Sequence, residues 1–430
     1  MDFLKAILST LVLAIGLPIY LIFGTLWVFF HRINSLSAKP RLVWGSTPII
    51  NNKYWSEAMK AKGFTSETFT LDFYSSINKR EDWGRILSEE FSILPHPFKP
   101  YFGFLDAIRR YDVFFLSFDG FFIGTTPIWW IQAYWLKWAG KKTVMLPYGS
   151  DSYSYRSIRS TSLIHGLMMS YPQAAKNQDL VEQRVKYWTR HADFQFSGIM
   201  GPDGFGRWDI LAPTILYIDL DLWKASQRRS QADGSTEVVT IVHAPNHRGF
   251  KGSEFILEAV KELQEEGLKI RLILLEKLQN AEVKRILAED ADILVEQLIA
   301  TGHGMNGLEG LASGLPIISN LEDESYMLPF RRWSYFDECP IVSATPENIT
   351  EVLRKLVTQP SLRHSLGEAG RAYVEKYHGL DSCQYVFGEI IAKLKGERDS
   401  LINLFHPLLG EYPKRSPKIS HPLKNNRIPN

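Results

Sequence analysis

Between His303 and Asn320 the chain reads H-G-M-N-G-L-E-G-L-A-S-G-L-P-I-I-S-N, the order of a glycine-rich turn, a short helix, a second turn and a buried strand. Gly302, Gly304 and Gly307 make a turn whose backbone bends sharply and can approach a ligand closely. Asn306 stands as an N-cap, with helix formers from Leu308 to Ser313 behind it. Gly314 ends that helix in a left-handed turn, and Pro316 opens an apolar strand. A helix springing from a glycine turn presents free backbone N–H groups and the positive end of its dipole, which suits a phosphate. Glu309, in the first turn, either stabilises the helix or reaches a ligand hydroxyl. Taken alone, such a turn is equally an ordinary connection whose glycines serve packing, so its neighbours decide.

Those neighbours alternate. Val238 to His243 is an apolar strand, followed by the loop Ala244 to Gly252, A-P-N-H-R-G-F-K-G. A helix runs from Ser253 to about Glu266 with Phe255, Ile256, Ala259, Val260 and Leu263 on one face. Lys269 to Leu275 is a strand, Glu282 to Asp290 a helix, and Asp292 to Val295 a short strand leading into the glycine turn. The alternation predicts a parallel sheet. Glu347 to Val357, Ser361 to Lys376 and Asp381 to Lys395 follow as helices.

The segment Glu309 to Ile318, E-G-L-A-S-G-L-P-I-I, resembles the E-A-M-A-x-G-x-P-V-I segment that follows a glycine turn in the retaining group 1, or family-four, glycosyltransferases of the GT-B fold. Lys251-Gly252 is similar to the end of that family's G-R-x-x-x-x-K-G loop, although Arg248 lies nearer the lysine than the family's arginine does. Ile215 to Trp223, I-L-Y-I-D-L-D-L-W, resembles the G-V-D-x-x-x-F hinge that closes the first domain. Asp219-x-Asp221 is therefore read as hinge, not as the metal signature that D-x-D makes in the GT-A fold. The resemblance covers most of the chain from about Arg41 to Lys395, specifically in the second half and loosely in the first.

The resemblance implies an α/β chain of two Rossmann-like domains facing each other across a cleft. It also implies roles. Glu309 would hold the ribose hydroxyls of a nucleotide sugar, and the backbone around Gly304, Asn306, Gly307 and Leu308 would meet the diphosphate. Lys251 and Arg248 would neutralise that diphosphate, with no metal ion and no cofactor. One position departs from the pattern: the family's second glutamate is Thr301 here, with His303 or Asn306 as substitutes. Sugar identity and anomeric outcome stay open.

In the first half, Arg41 to Trp44 is a strand entering the turn Gly45-Ser46-Thr47-Pro48, with a helix from Asn52 to Lys62 and a strand around Glu67 to Leu71. This is a βαβ start. In the GT-B fold the loop after the first strand lies in the cleft, which makes Gly45 and Ser46 candidates for its acceptor side; otherwise they are a plain turn. Asp112 to Phe118 is the apolar run of a central parallel strand, with Asp119 and Gly120 at its carboxyl end, where open α/β sheets place ligands. Lys142 to Pro147 is another strand, ending in Tyr148-Gly149-Ser150-Asp151. Asp119 and Asp151 are each either a turn or cap former or the group that orients or deprotonates an acceptor hydroxyl. Pro127 to Trp138 reads as a helix carrying Trp129, Trp130, Trp135 and Trp138, either packed in a core or pressed on a membrane. Glu182 to His191 is a further helix.

Ala6 to Phe30 carries no charged residue, a helix of about 37 Å at the usual rise and enough to span a bilayer. It lacks the shorter apolar core and small-residue cleavage site of a signal peptide, so it predicts a retained membrane anchor. Gly16 and Pro18 leave a re-entrant hairpin open. Arg32, Lys39 and Arg41 after it favour a cytoplasmic body. The domain plan is an anchor and flank over 1–40, an acceptor-side domain over 41–223 and a linker over 224–237. A nucleotide-sugar domain over 238–395 and a basic, partly disordered tail over 396–430 complete it.

A net charge of +2 on 430 residues offers no argument for nucleic-acid binding, and Cys339 and Cys383 alone make neither a disulfide framework nor a cysteine metal cluster. The expectation is a glycosyltransferase moving a sugar from a nucleotide sugar to a membrane-proximal or lipid-linked saccharide acceptor, in surface polysaccharide or glycolipid synthesis. Two alternatives stand beside it: a membrane-tethered module that binds a nucleotide sugar or a partner without turnover, and a nucleotide-sugar epimerase on the same scaffold.

Overall fold

The structure, a computed structural model, describes residues 2–75, 78–198, 204–225, 230–276 and 278–429, and the side chains of the first helix from Gly16 onward. The chain divides into two compact units. Unit 1 is Met1–Asp151, Arg184–Gln195 and Phe387–Asp399; unit 2 is Ser152–Gln183, Phe196–Val386 and Ser400–Asn430.

In unit 1, α1 (Asp2–Phe30) precedes β1 (Leu42–Trp44), α2 (Asn51–Ala61), β2 (Ser66–Thr70), β3 (Arg85–Ile86), α3 (Leu87–Glu90), α4 (Lys99–Arg110), β4 (Val113–Leu116), α5 (Gln132–Trp138), β5 (Lys142–Met145) and β6 (Phe194–Gln195). The strands form one parallel sheet in the order β3-β2-β1-β4-β5-β6. β4 is buried along its whole length, as expected of a parallel strand covered on both faces. Trp44 stacks on Phe115 at 3.8 Å and meets Phe387 edge-on at 4.8 Å.

Two expectations change here. The tryptophan-rich helix starts only at Gln132, after a 3-10 turn at Trp129–Ile131. The Gln132 amide is drawn inward: it accepts from Phe121 N at 2.7 Å and donates to Trp129 O at 2.9 Å. Its tryptophans divide: Trp135 is fully buried, as the core reading expects, while Trp130 and Trp138 are exposed. The re-entrant hairpin is not formed, because α1 continues through Gly16 and Pro18 as one helix. Among the described residues, no helix is long and apolar enough to cross a membrane.

Unit 2 holds α6 (Thr161–Ser170) and the start of α7 (Gln178–His191), then β7 (Val239–His243), α8 (Arg248–Lys251), α9 (Ser253–Glu265), β8 (Ile270–Leu274), α10 (Asn280–Glu289), β9 (Ile293–Thr301), α11 (Met305–Ala312) and β10 (Ile317–Asn320). α12 (Glu324–Trp333), β11 (Val342–Ser343), α13 (Ile349–Thr358), α14 (Pro360–Tyr377) and most of the first half of α15 (Leu380–Leu394) complete it. The five parallel strands lie in the order β11-β10-β9-β7-β8 around a core of aliphatic side chains from α9, α13 and the strands.

β9 runs six residues beyond Val295, where the sequence reading ends it. Glu296 and Gln297 look like a strand terminus, yet both are buried, because a lysine from α8 meets them. Part of the basic tail packs on unit 2. Leu423 joins the core of unit 2, and Asn426 receives Ser343 N on its carbonyl at 2.7 Å while its amide donates to Cys339 O and Ile341 O. The outer side of β11 leaves backbone groups to be satisfied, and the tail supplies the partner. Residues 226–229 of the polar linker lie outside the described residues. Asp219 makes a turn, its carboxylate accepting from Asp221 N at 2.9 Å and Leu222 N at 3.3 Å.

Candidate active site

In unit 2 the winding of the sheet reverses between β7 and β9, and the loops leaving their carboxyl ends part around a crevice. One loop runs from Ala244 to Gly252; the other is the glycine turn after Thr301. Gly252 and Gly302 both take left-handed backbone, φ +72° and +98°. Gly314 does the same beyond α11, at +78°. The N-cap of α11 is Gly304, not Asn306. Asn306 lies in the first turn instead and donates to Ala244 O at 3.1 Å, tying the two loops together.

The crevice is lined by buried polar groups. Lys251 Nζ lies 2.7 Å from Gln297 Oε1 and 3.5 Å from Glu296 Oε1. That same Glu296 oxygen accepts from Gly304 N at 2.6 Å. One carboxylate oxygen thus sits between a buried ammonium and the amino end of α11. A Cβ at Gly307 would fall 2.2 Å from Glu296 Oε2, so a side chain there would push the carboxylate from this position. Among the described residues, Glu296 Oε2 and both ring nitrogens of His303 are buried and have no hydrogen-bond partner. Burial lowers the pKa of the His303 ring and favours its neutral form. Glu309 is buried too: loss of solvent, then the negative charge of Glu296, push its carboxyl up to about 8. Leu308 is fully buried, its N–H directed at Gly304 O. His243, depressed to about 4 by burial, links Val295 O to Ser253 Oγ and so fixes the start of α9 against β9.

Arg248 stands apart from this group. Its guanidinium is exposed and grips Glu276 with two bonds of 2.8 Å. Thr301 ends β9. Glu296 and Gln297 were not singled out by sequence reasoning. The available signal was a charged residue inside I-L-V-E-Q-L-I-A, an otherwise apolar buried run, where a carboxylate demands a partner.

In unit 1 the reversal falls between β1 and β4. Gly45 and Ser46 leave β1 there, and Ser46 Oγ donates to Gly120 O at 3.4 Å. A Cβ at Gly45 would lie 2.2 Å from Phe69 O. Asp119 accepts from Tyr148 OH at 2.8 Å and from Arg184 at 3.0 Å. Asp151 is buried and accepts three backbone N–H groups, from Phe118, Tyr148 and Gly149. Burial, then the charge of Asp119, raise its carboxyl to about 7 despite those bonds. Asp151 therefore cross-ties the loops after β4 and β5, while Asp119 remains the accessible carboxylate. Tyr148 and Arg184, which orient it, carry no motif that sequence reasoning could use.

The fold and site define an α/β protein of two Rossmann-like units, one with a crevice lined by buried charged and polar side chains. No protein-family model and no curated protein matches the chain. Among solved structures, sucrose-phosphate synthase from Thermosynechococcus elongatus is similar at a TM-score of 0.54, with 13% identity over 84% of this chain and 100% of that one. The wall teichoic acid polymerase TagF aligns at 0.42, with 14% identity over 92% and 98% of the two chains. A complex of S. aureus MnaA with UDP aligns at 0.45, with 13% identity over 84% and 99%. The first likeness, taken with the two parallel sheets, shows the GT-B fold.

Proposed function

We propose that the chain is a glycosyltransferase that binds a nucleoside-diphosphate sugar in the crevice of unit 2 and passes the sugar to a membrane-proximal or lipid-linked saccharide acceptor, in surface polysaccharide or glycolipid synthesis. One observation carries the reading: a single anionic oxygen is held 3.5 Å from Lys251 Nζ and 2.6 Å from Gly304 N. A phosphate oxygen makes the same demands as that carboxylate oxygen. The first N–H groups of α11 have no partner within the helix and add to the attraction. As the glycosidic bond breaks, charge develops on the leaving diphosphate, and these groups are already oriented toward it.

Glu309, neutral at rest, offers the ribose hydroxyls both a donor and an acceptor. Arg248 joins only by leaving Glu276, so its contribution is smaller than that of Lys251. Lys251 and the helix end supply the positive charge, which makes the transfer independent of a metal ion. Asp119, held by Tyr148 and Arg184, is the group to orient or deprotonate the acceptor hydroxyl, with Asp151 positioning its loop. The cations after the apolar run, Arg32, Lys39 and Arg41, suit the anionic cytoplasmic leaflet and so a body on the cytoplasmic side.

The test incubates the detergent-solubilised protein with a panel of nucleotide sugars and lipid-linked saccharides and follows nucleoside diphosphate release. Release that survives EDTA and falls about 100-fold in Lys251→Ala and Glu309→Ala supports the transferase. The binding module without turnover is favoured by one feature: Thr301 stands where the resembled family has its second glutamate. Tight binding without release in every mixture selects that module. Interconversion of the sugar nucleotide without release selects an epimerase.

A further inference from the structure

We infer that unit 1 beds one face in a single leaflet of a lipid bilayer, and that α1 lies along that face instead of standing through the bilayer as a separate tether. The later half of α1 is part of the unit. Tyr20 OH donates to Tyr101 O at 3.0 Å, and Trp27 Nε1 to Leu105 O at 2.9 Å. The Tyr20 ring meets Tyr101 at 4.9 Å and Trp135 at 5.6 Å. Gly24 touches the same indole so closely that a Cβ would overlap it at 2.2 Å. Ile33 N closes the end of the helix on Ala139 O.

The other side of α1 is bare. Ile19, Ile22, Phe23, Leu26, Phe29 and Phe30 are each more than half exposed and recur at helical spacing on one stripe. The stripe has no hydrogen-bonding side chain. The neighbouring hydroxyl, Thr25, bonds back to Leu21 O of its own helix at 2.7 Å, as in an apolar solvent. A protein partner would normally find about one hydrogen bond per 100–200 Å² of interface, and the stripe offers none. Its surroundings also fit a lipid. Phe29 stacks on Trp138 at 6.0 Å, and Trp138, Tyr134 and Trp130 of the adjoining segment are all exposed. Trp and Tyr favour the headgroup level. Arg32 and Lys137, both exposed beside this face, suit anionic headgroups. The described part of α1, Gly16 to Phe30, has no charge to interrupt the apolar surface.

This placement holds whether or not unit 2 transfers a sugar; if it does, the acceptor lies at a lipid surface. The full chain, freed of detergent, is floated with phosphatidylcholine vesicles and with vesicles that also contain phosphatidylglycerol. The wild type and Leu408→Glu, a charge placed on exposed apolar surface of unit 2, are expected to float with both, more strongly with the anionic lipid. Ile22→Glu/Leu26→Glu is expected to float roughly tenfold less or weaker still. Cys339 and Cys383 are buried, so Leu26→Cys accepts an environment-sensitive dye alone. Brominated lipids are expected to quench that dye at shallow depth, which decides the matter even should the double variant fail to fold. Three results overturn the inference: unchanged flotation of the double variant, an Asp2→Cys label shielded on the far side of the vesicle, or a lipid-free dimer that does not float.

Discussion

Glu309 carries its pH dependence in its surroundings. Its folded pKa of about 8 lies above the 4.5 of an exposed glutamate, so between those values the folded protein holds a proton the unfolded chain has released. The stability that this carboxyl contributes is therefore fully present below about pH 4.5 and is lost as the pH rises through about 8. Glu309→Gln removes that loss. It should melt close to wild type at about pH 5 and at least roughly 2–4 °C higher at about pH 9, read by calorimetry. Glu296 makes a second case. Glu296→Gln keeps an acceptor for Gly304 N and Lys251 Nζ but removes the charge from the helix end. Affinity for UDP, ADP, CDP or GDP, whichever binds, should rise roughly tenfold by titration calorimetry. A fall in affinity would show the carboxylate to be a ligand in its own right.

At the scale of elements, α11 is held where α14 lets it lie. A Cβ at Gly367 would stand 2.1 Å from Gly314 O, a backbone atom that cannot yield without moving the end of α11. At Gly370 the obstacle is Leu311 Cδ2 at 2.8 Å, the tip of a side chain. Gly367→Ala should thus cost about 1–3 kcal/mol and Gly370→Ala less, measured by urea unfolding. The glycines of the turn itself are a different matter. Gly302 and Gly314 are legible in sequence because a left-handed residue must stand there. The N-cap was not, because Gly304 is secured by the Glu296 carboxylate, on a part of β9 beyond the point where the sequence reading ends the strand.

Over the whole molecule, the two units carry separate reversal points, and a nucleoside diphosphate should engage only one. Hydrogen exchange is expected to slow in 244–252 and 302–312 on adding UDP or another diphosphate that binds, with no change at the ends of β1, β4 and β5. Saturation at about 100 times Kd should add about 2.7 kcal/mol to the stability of unit 2. Slowed exchange confined to unit 1 would remove the donor site from unit 2.

The parallel sheets and the glycine turn after β9 were readable from the chain, since periodicity, glycine and local order act over a few residues. Tertiary structure alone decided which charges are partners. It turned Arg248 toward Glu276, brought Glu296 to the end of α11, buried Asp151 under Asp119 and docked the tail on β11. The reason is physical: backbone preference is local, whereas the state of a charge depends on the solvent it loses and on neighbours delivered by remote segments.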